Sequence, residues 1–272
     1  MTEKFEVRLK RIHRLSESTL DFRFARNDGK PVLFEPGQFF RFVFTDAAGD
    51  FERSYSLCNY GKDVSGSSCL DLVISFVEGG RASQYLFHCQ EGITATVSGP
   101  FGRLLVPETL PGRLFLVATS VGIAPFMPIL TALSPALQSK EVEVILLFGA
   151  RSRDEFLYRE ELLAIQQRYD YFTLVMCYSR EVLTDQRPHE RRGYVTDQLG
   201  SFSPNPDSDR FLLCGNPQMI DDCFGLLREF GFKAKQVVRE KYVFAKKTKV
   251  KVKKKLTKEQ KELIVEKMKK FQ

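Results

Sequence analysis

The chain has 272 residues, 43% of them hydrophobic, which suits two modest domains with buried cores. Six cysteines, at 58, 69, 89, 177, 214 and 223, are never closer than nine residues apart, so there is no C-x-x-C zinc, redox or iron–sulfur pattern. The net charge of +7 suggests nucleic acid only until it is located: residues 245–272 hold twelve lysines and three glutamates, a balance of +9 that leaves the rest at −2.

The amino-terminal stretch "MTEKFEVRLKRIHRL" is charged throughout, and no window reaches 18 uninterrupted apolar residues. A cytoplasmic protein with reduced thiols and no transmembrane segment is expected. From Lys4 to about Val106, short strands alternate with turn signals. "FEVRLKRI" and "DFRFA" have period two, "QFFRFVF" follows the turn "EPG", and "LDLVISF" and "TATVS" come after glycine-rich punctuation. This spacing predicts an antiparallel β-barrel or sandwich of about 100 residues. "PETLPG", with Pro107 and Pro111, reads as a linker, so domains are expected over 1–108 and 112–244.

Beyond the linker, apolar strands alternate with helices. "RLFLVAT" precedes "APFMPILTAL", "EVEVILLFGA" precedes "DEFLYREELLAIQQR", "FTLVMCYS" precedes "YVTDQLG", and "RFLLCG" precedes "PQMIDDCFGLLREFG". Four such strands predict a doubly wound α/β domain with a parallel sheet, whose ligands bind at the carboxyl ends of the strands. In the lysine-rich tail, 245–272, Thr257 to Gln260 fits a capping box. Ile264, Met268 and Phe271 share a helical face there, the pattern of a short amphipathic helix.

Several short stretches carry chemistry. In "RSYS", Arg53 and Tyr55 project to one face of a strand and pair a guanidinium with a phenol ring, which would suit an anionic ligand bearing a flat ring. An arginine paired with a surface carboxylate beside a half-buried tyrosine explains the same residues. "VEGGRASQYLF" reads as a tight turn at Gly80 followed by a helix with Ser83 near its start. Its free N–H groups could hold phosphate, or it is an ordinary capped helix.

Five strings in order, "RSYS", "GGRAS", "VGIAPF", "CGNPQM" and "REKYVF", resemble the motifs of the ferredoxin–NADP reductase superfamily over nearly residues 4 to 244. The resemblance implies FAD in the barrel and NADP(H) on the α/β domain. Arg53 would bind the flavin diphosphate with Gly80 and Ser83, Tyr55 would pack on the isoalloxazine, and Ser56 would hydrogen-bond near its N5. Thr119 and Gly122 would lie in the loop beneath the nicotinamide pyrophosphate, where Ser120 and Val121 replace the usual glycine and threonine. Ser179 and Arg180 match the pair that holds the 2′-phosphate in NADP-dependent members. Arg192 and Tyr194 would add a cation and an aromatic face for adenine, and Arg151 lies at another strand end; a solvated basic loop is the alternative. Cys214 and Glu240 resemble the pair flanking the hydride-transfer position, and Tyr242 or Phe244 would cover the flavin's other face.

The implied activity is an FAD-dependent NADPH oxidoreductase with no metal site, which passes single electrons to ferredoxin or flavodoxin as a monomer. Two alternatives stay open: a flavin or flavohemoprotein-like reductase with another acceptor, and a non-catalytic binding module that uses the basic tail on an anionic surface.

Overall fold

The computed structural model describes residues 2–64 and 66–242. The tail over 245–272, with its expected helix, and Phe244 lie outside the described residues.

The first domain is a curled sheet of six antiparallel strands: β1 (Glu3–Ser16), β2 (Thr19–Arg26), β3 (Phe39–Asp46), β4 (Gly49–Ser56), β5 (Cys69–Ser75) and β6 (Thr94–Phe101). Their spatial order is β4-β3-β6-β1-β2-β5. Period-two alternation sends one face inward. Phe22, Phe24, Phe40, Phe42 and Phe44 are buried with Val7 and Val97 in a phenylalanine-rich core. Helix α1 (Arg81–His88), between β5 and β6, adds Ala82 and Leu86 to that core.

The outermost strands, β4 and β5, do not pair directly, and the gap between them is bridged by the chain that follows β4. The Cys58 N–H donates to the Asp71 carbonyl at 2.9 Å. The buried Asn59 side chain accepts from the Asp71 N–H at 3.0 Å and donates to the Cys69 carbonyl at 3.0 Å. One amide thus substitutes for a strand ladder along this seam.

The second domain is a six-stranded parallel sheet of β7 (Arg113–Thr119), β8 (Glu143–Ala150), β9 (Phe172–Tyr178), β10 (Glu190–Arg192), β11 (Asp209–Gly215) and β12 (Val237–Lys241). The order is β10-β9-β8-β7-β11-β12, so the winding reverses between β7 and β11. Four of these strands were expected. β10 spans three residues, and β12 is a partly exposed edge with one fully buried residue, Val237, so neither carries the apolar run that marks the others. Alternate residues of β7 divide between two cores. Leu114, Leu116 and Ala118 join α2 (Phe126–Gln138) and α3 (Arg159–Arg168), while Phe115 and Val117 join α4 (Val195–Gln198) and α5 (Pro217–Glu229). α3 begins later than its apolar pattern suggests, because Arg153–Glu155 forms a 3₁₀ turn and Tyr158 sits in left-handed geometry (φ 54°). Ser120–Gln138 has the length and mean hydropathy (1.5) of a membrane span, yet 67% of its best window is buried inside the protein, as for a core helix.

The domains are tied by the chain from 57 to 64. Cys58 and Val73 pack in the same core as Leu104, Leu114 and Ile129, and the Gly61 N–H donates to Thr131 Oγ1 on α2 at 3.1 Å. The strand that carries "RSYS" therefore runs directly into the connection between domains.

Asn59→Ala leaves two buried backbone groups without these partners and is expected to cost about 2 kcal/mol of unfolding free energy. Urea titration of both proteins measures it; a loss below about 0.5 kcal/mol would mean that water replaces the amide.

Candidate active site

A cleft of about 450 Å³ lies where the domains meet, within the range of about 300–1,000 Å³ typical of small-molecule and cofactor sites. Arg53, Tyr55 and Ser56 line it from β4, Gly80 and Ser83 from the start of α1, and Val121, Glu240 and Tyr242 from the second domain. Sequence reasoning also missed Phe39, Val73 and Val77, whose apolar character offered no signal beyond that of core residues.

Among the described residues Arg53 is in no ion pair: its guanidinium donates to the Glu52 carbonyl at 2.6 Å, while the Glu52 carboxylate pairs with Arg41 at 3.2 Å. Tyr55 meets Phe42 edge-on with ring centroids 5.8 Å apart, and burial raises its phenol above the ordinary range. The cap of α1 is Gly80, with no side-chain cap and no acidic residue in the first turn. A Cβ on Gly80 would come within 2.9 Å of Ser83 Oγ and 3.1 Å of the Val77 carbonyl. The Ser83 hydroxyl donates to the carbonyls of Val77 (2.8 Å) and Gly80 (3.0 Å), so it shapes the turn from beneath. Arg81 anchors the other side through Asp46. A cation with no ion-pair partner among the described residues, an uncapped helix start and a half-buried ring match a flat cofactor with a diphosphate, such as FAD.

Deeper in the cleft, Ser56 Oγ donates to Glu240 Oε1 at 2.7 Å, joining the ends of β4 and β12. Burial raises the Glu240 carboxyl above its ordinary 4.5, and the Ser56 hydrogen bond opposes this. Cys214 is fully buried at the end of β11; burial first, and then the nearby Glu240 charge, push its thiol well up. Tyr242 is held by its N–H on the Gly215 carbonyl at 2.9 Å, and its ring edge is half-buried. Its hydroxyl is buried without a hydrogen-bond partner among the described residues.

These groups sit at the reversal of winding, the place where open parallel sheets bind ligands. Thr119 Oγ1 accepts from the Asn216 N–H at 3.1 Å. A Cβ on Gly122 would lie 2.7 Å from Gly215 Cα and collide with the Cys214 carbonyl, so this glycine lets the loop pack on β11. Ser120 occupies left-handed backbone (φ 52°), a region that favours glycine, with its side chain exposed.

A third group forms further along the same edge. Ala150, Tyr178 and Arg192 are in register across β8, β9 and β10, so Arg151, Ser179, Arg180 and Tyr194 emerge side by side. Arg180, Arg192 and Tyr194 are exposed, and neither arginine is in an ion pair among the described residues. Arg151 lies 3.9 Å from Glu155, and the Ser179 N–H donates to the Ala150 carbonyl at 3.1 Å. Nearby, the fully buried Glu190 pairs with the half-buried Arg153 and Arg159, a group that the sequence reading did not single out. "RSRDEF" and "HERR" are visibly charged, but their pairing across 37 residues is not.

This arrangement defines an oxidoreductase that binds a flavin dinucleotide on its first domain and a nicotinamide nucleotide on its second. Residues 6–105 match the oxidoreductase FAD-binding domain, and residues 116–224 the oxidoreductase NAD-binding domain. The chain is 32% identical over 248 residues to ferredoxin–NADP reductase B of Sorangium cellulosum, covering 88% of this chain and 98% of that protein. It is 30% identical over 210 residues to the ferredoxin–NAD(P)(+) reductase component of the naphthalene 1,2-dioxygenase/salicylate 5-hydroxylase systems of a Ralstonia species, covering 76% of this chain and 60% of that protein. A Neisseria gonorrhoeae ferredoxin NADP+ reductase crystallised with FAD and NADP superposes with a TM-score of 0.74 at 22% identity, over 88% of this chain and 98% of that one. The protein belongs to the ferredoxin–NADP reductase superfamily of flavoenzymes.

Because the folded state raises the Glu240 carboxyl, it keeps a proton that the unfolded chain releases near 4.5. The contribution of this group to stability is full below that pH and declines as pH rises through the folded value. Glu240→Gln is expected to remove this decline, and Ser56→Ala to extend it to higher pH. Urea midpoints across a pH series measure both; a Glu240→Gln profile parallel to wild type would contradict the burial effect.

Proposed function

We propose that the protein is an FAD-dependent NADPH oxidoreductase that exchanges hydride with NADP(H) and single electrons with ferredoxin or flavodoxin. The observation that carries this reading is the junction of Ser56 and Glu240, which puts the flavin cleft and the nucleotide-binding edge of the parallel sheet in hydrogen-bond contact. Bound FAD supplies two-electron hydride chemistry and one-electron release.

The chain's own groups divide the remaining work. Arg53 and the first turn of α1, with Gly80 and Ser83 shaping it, bind the flavin diphosphate, and Tyr55 packs on the ring. The Ser56 hydroxyl can donate or accept a hydrogen bond, and Glu240 orients it and can hold a proton in a buried setting. Cys214 and Tyr242 wall off this pocket from water. The loop from Thr119 to Gly122 receives the nicotinamide pyrophosphate. Ser179, Arg180 and Arg192 hold the 2′-phosphate, with Arg151 nearby and Tyr194 against adenine. Arg180 and Arg192, exposed and without an ion-pair partner among the described residues, favour a phosphorylated ribose, since NAD-selective sites more often offer a carboxylate to the free hydroxyl.

Ferredoxin–NADP reductase B, which this chain matches across 98% of its length, supports a ferredoxin-type carrier. The +9 charge of residues 245–272 suits an acidic one and would steer it to the protein. All six cysteines are free, in keeping with a reducing cytoplasm.

Steady-state oxidation of NADPH and NADH against ferredoxin, flavodoxin, quinone and free flavin tests this assignment. We expect kcat/KM for NADPH to exceed that for NADH by at least about tenfold, and turnover with the preferred carrier to fall as salt rises. Preference for free flavin would move the protein to another branch of the superfamily, and no flavin spectrum with no turnover would refute the proposal. Arg53→Ala is expected to lose FAD on gel filtration. Ser56→Ala should keep it and slow hydride transfer, as read by stopped-flow flavin bleaching; equal flavin loss in both variants would reject this division of roles.

A further inference from the structure

Arg153 lies just after β8 and ties together three points of the loop between β9 and β10. Its N–H donates to the Glu181 carboxylate at 3.1 Å, and its guanidinium donates to the Asp185 carbonyl at 2.6 Å. The same guanidinium grips Glu190 with a fork, Nε to Oε1 at 3.1 Å and Nη2 to Oε2 at 2.6 Å. Glu190 is fully buried and also accepts from Arg159 at 3.3 Å and from the Arg187 N–H at 3.1 Å. Burial alone would raise its carboxyl; the hydrogen bonds and charge of these partners outweigh that and hold it below the ordinary value.

A buried ion pair is weak evidence for stability, because an apolar pair of similar volume often serves as well. Its geometric effect is more informative. The loop anchored at 181, 185 and 190 begins beside Arg180 and ends two residues before Arg192, so Arg180 and Arg192 are each within two residues of an anchor. The anchors also engage the nearby acids. Glu181, next in sequence to Arg180, is turned onto the Arg153 N–H, and Glu190 is enclosed by arginines.

We propose that the Arg153–Glu190 pair is a positioning clamp that fixes Arg180 and Arg192 around one 2′-phosphate and keeps Glu181 away from it, so that it helps to select NADP(H) over NAD(H). The inference rests on the assignment of Arg180 and Arg192 to the 2′-phosphate made above. Neither Arg153 nor Glu190 touches the nucleotide in this account; both act through the loop.

Calorimetric titration of the flavin-loaded protein with adenosine 2′,5′-bisphosphate and with ADP separates the possibilities. In Arg153→Met/Glu190→Gln both charges of the pair are removed together, so neither is left buried alone. This variant is expected to bind the bisphosphate about tenfold more weakly while its affinity for ADP changes by less than about twofold. Arg153→Lys keeps the charge but loses the fork, and is expected to shift the same ratio by about threefold, which keeps the test open if the double variant does not fold. Wild-type discrimination in a folded Arg153→Lys protein, or equal weakening of both nucleotides, would overturn the clamp. If wild type itself binds the bisphosphate no more tightly than ADP, the 2′-phosphate assignment fails instead, whatever the variants do.

Discussion

One hydrogen bond, from Ser56 Oγ to Glu240 Oε1, spans 184 residues of sequence and joins the last residue of β4 in an antiparallel sheet to an edge strand of a parallel one. Neither sheet forms the candidate site alone. The bond can form only when the domains are docked, and docking is built into the same strand: β4 runs into Cys58, Asn59 and Gly61, which close the barrel seam and reach α2. The cleft-lining strand, barrel closure and domain interface are thus consecutive pieces of one chain. A shift of the interface would be felt at Ser56 within a few residues.

Burial around this bond sets its chemistry. Glu240, Cys214 and Tyr242 all sit where water is largely removed, and each has its titration moved in the direction that favours the uncharged form. A carboxyl that can hold a proton beside a hydroxyl that can donate or accept is a flexible arrangement for a redox cofactor whose hydrogen-bonding changes during turnover. The glycines at 122 and 215 contribute by close approach: a Cβ at either would press on the neighbouring strand end or on Thr119, displacing the loop on which a nucleotide would rest.

The five motifs were legible because each is short and local, and the strands and helices that carry them have strong periodicity. β10, β12 and the Asn59 seam were not, since a three-residue strand, a half-exposed edge and a single amide leave little pattern to read. Ser83 shows the limit at residue level. Its place near a helix start was evident, but whether the hydroxyl faced outward or bonded back to Val77 depended on the turn geometry at Gly80. Arg53 was ambiguous for a related reason: whether a carboxylate would claim it was decided by Arg41 taking Glu52 from the adjacent strand.

By itself, the sequence determined two domains of different class, their order, and the residue types available for phosphate, ring and hydride chemistry, because these follow from periodicity and composition along the chain. Only the tertiary structure decided which side chains meet. The pairing of Ser56 with Glu240, the close packing of Gly122 on β11 and the enclosure of Glu190 by Arg153 and Arg159 all join residues far apart in sequence. Such pairings depend on sheet order and domain docking, which local preference does not encode; burial then raises the Glu240 carboxyl, whereas at Glu190 the hydrogen bonds and charge of its partners outweigh burial and lower it.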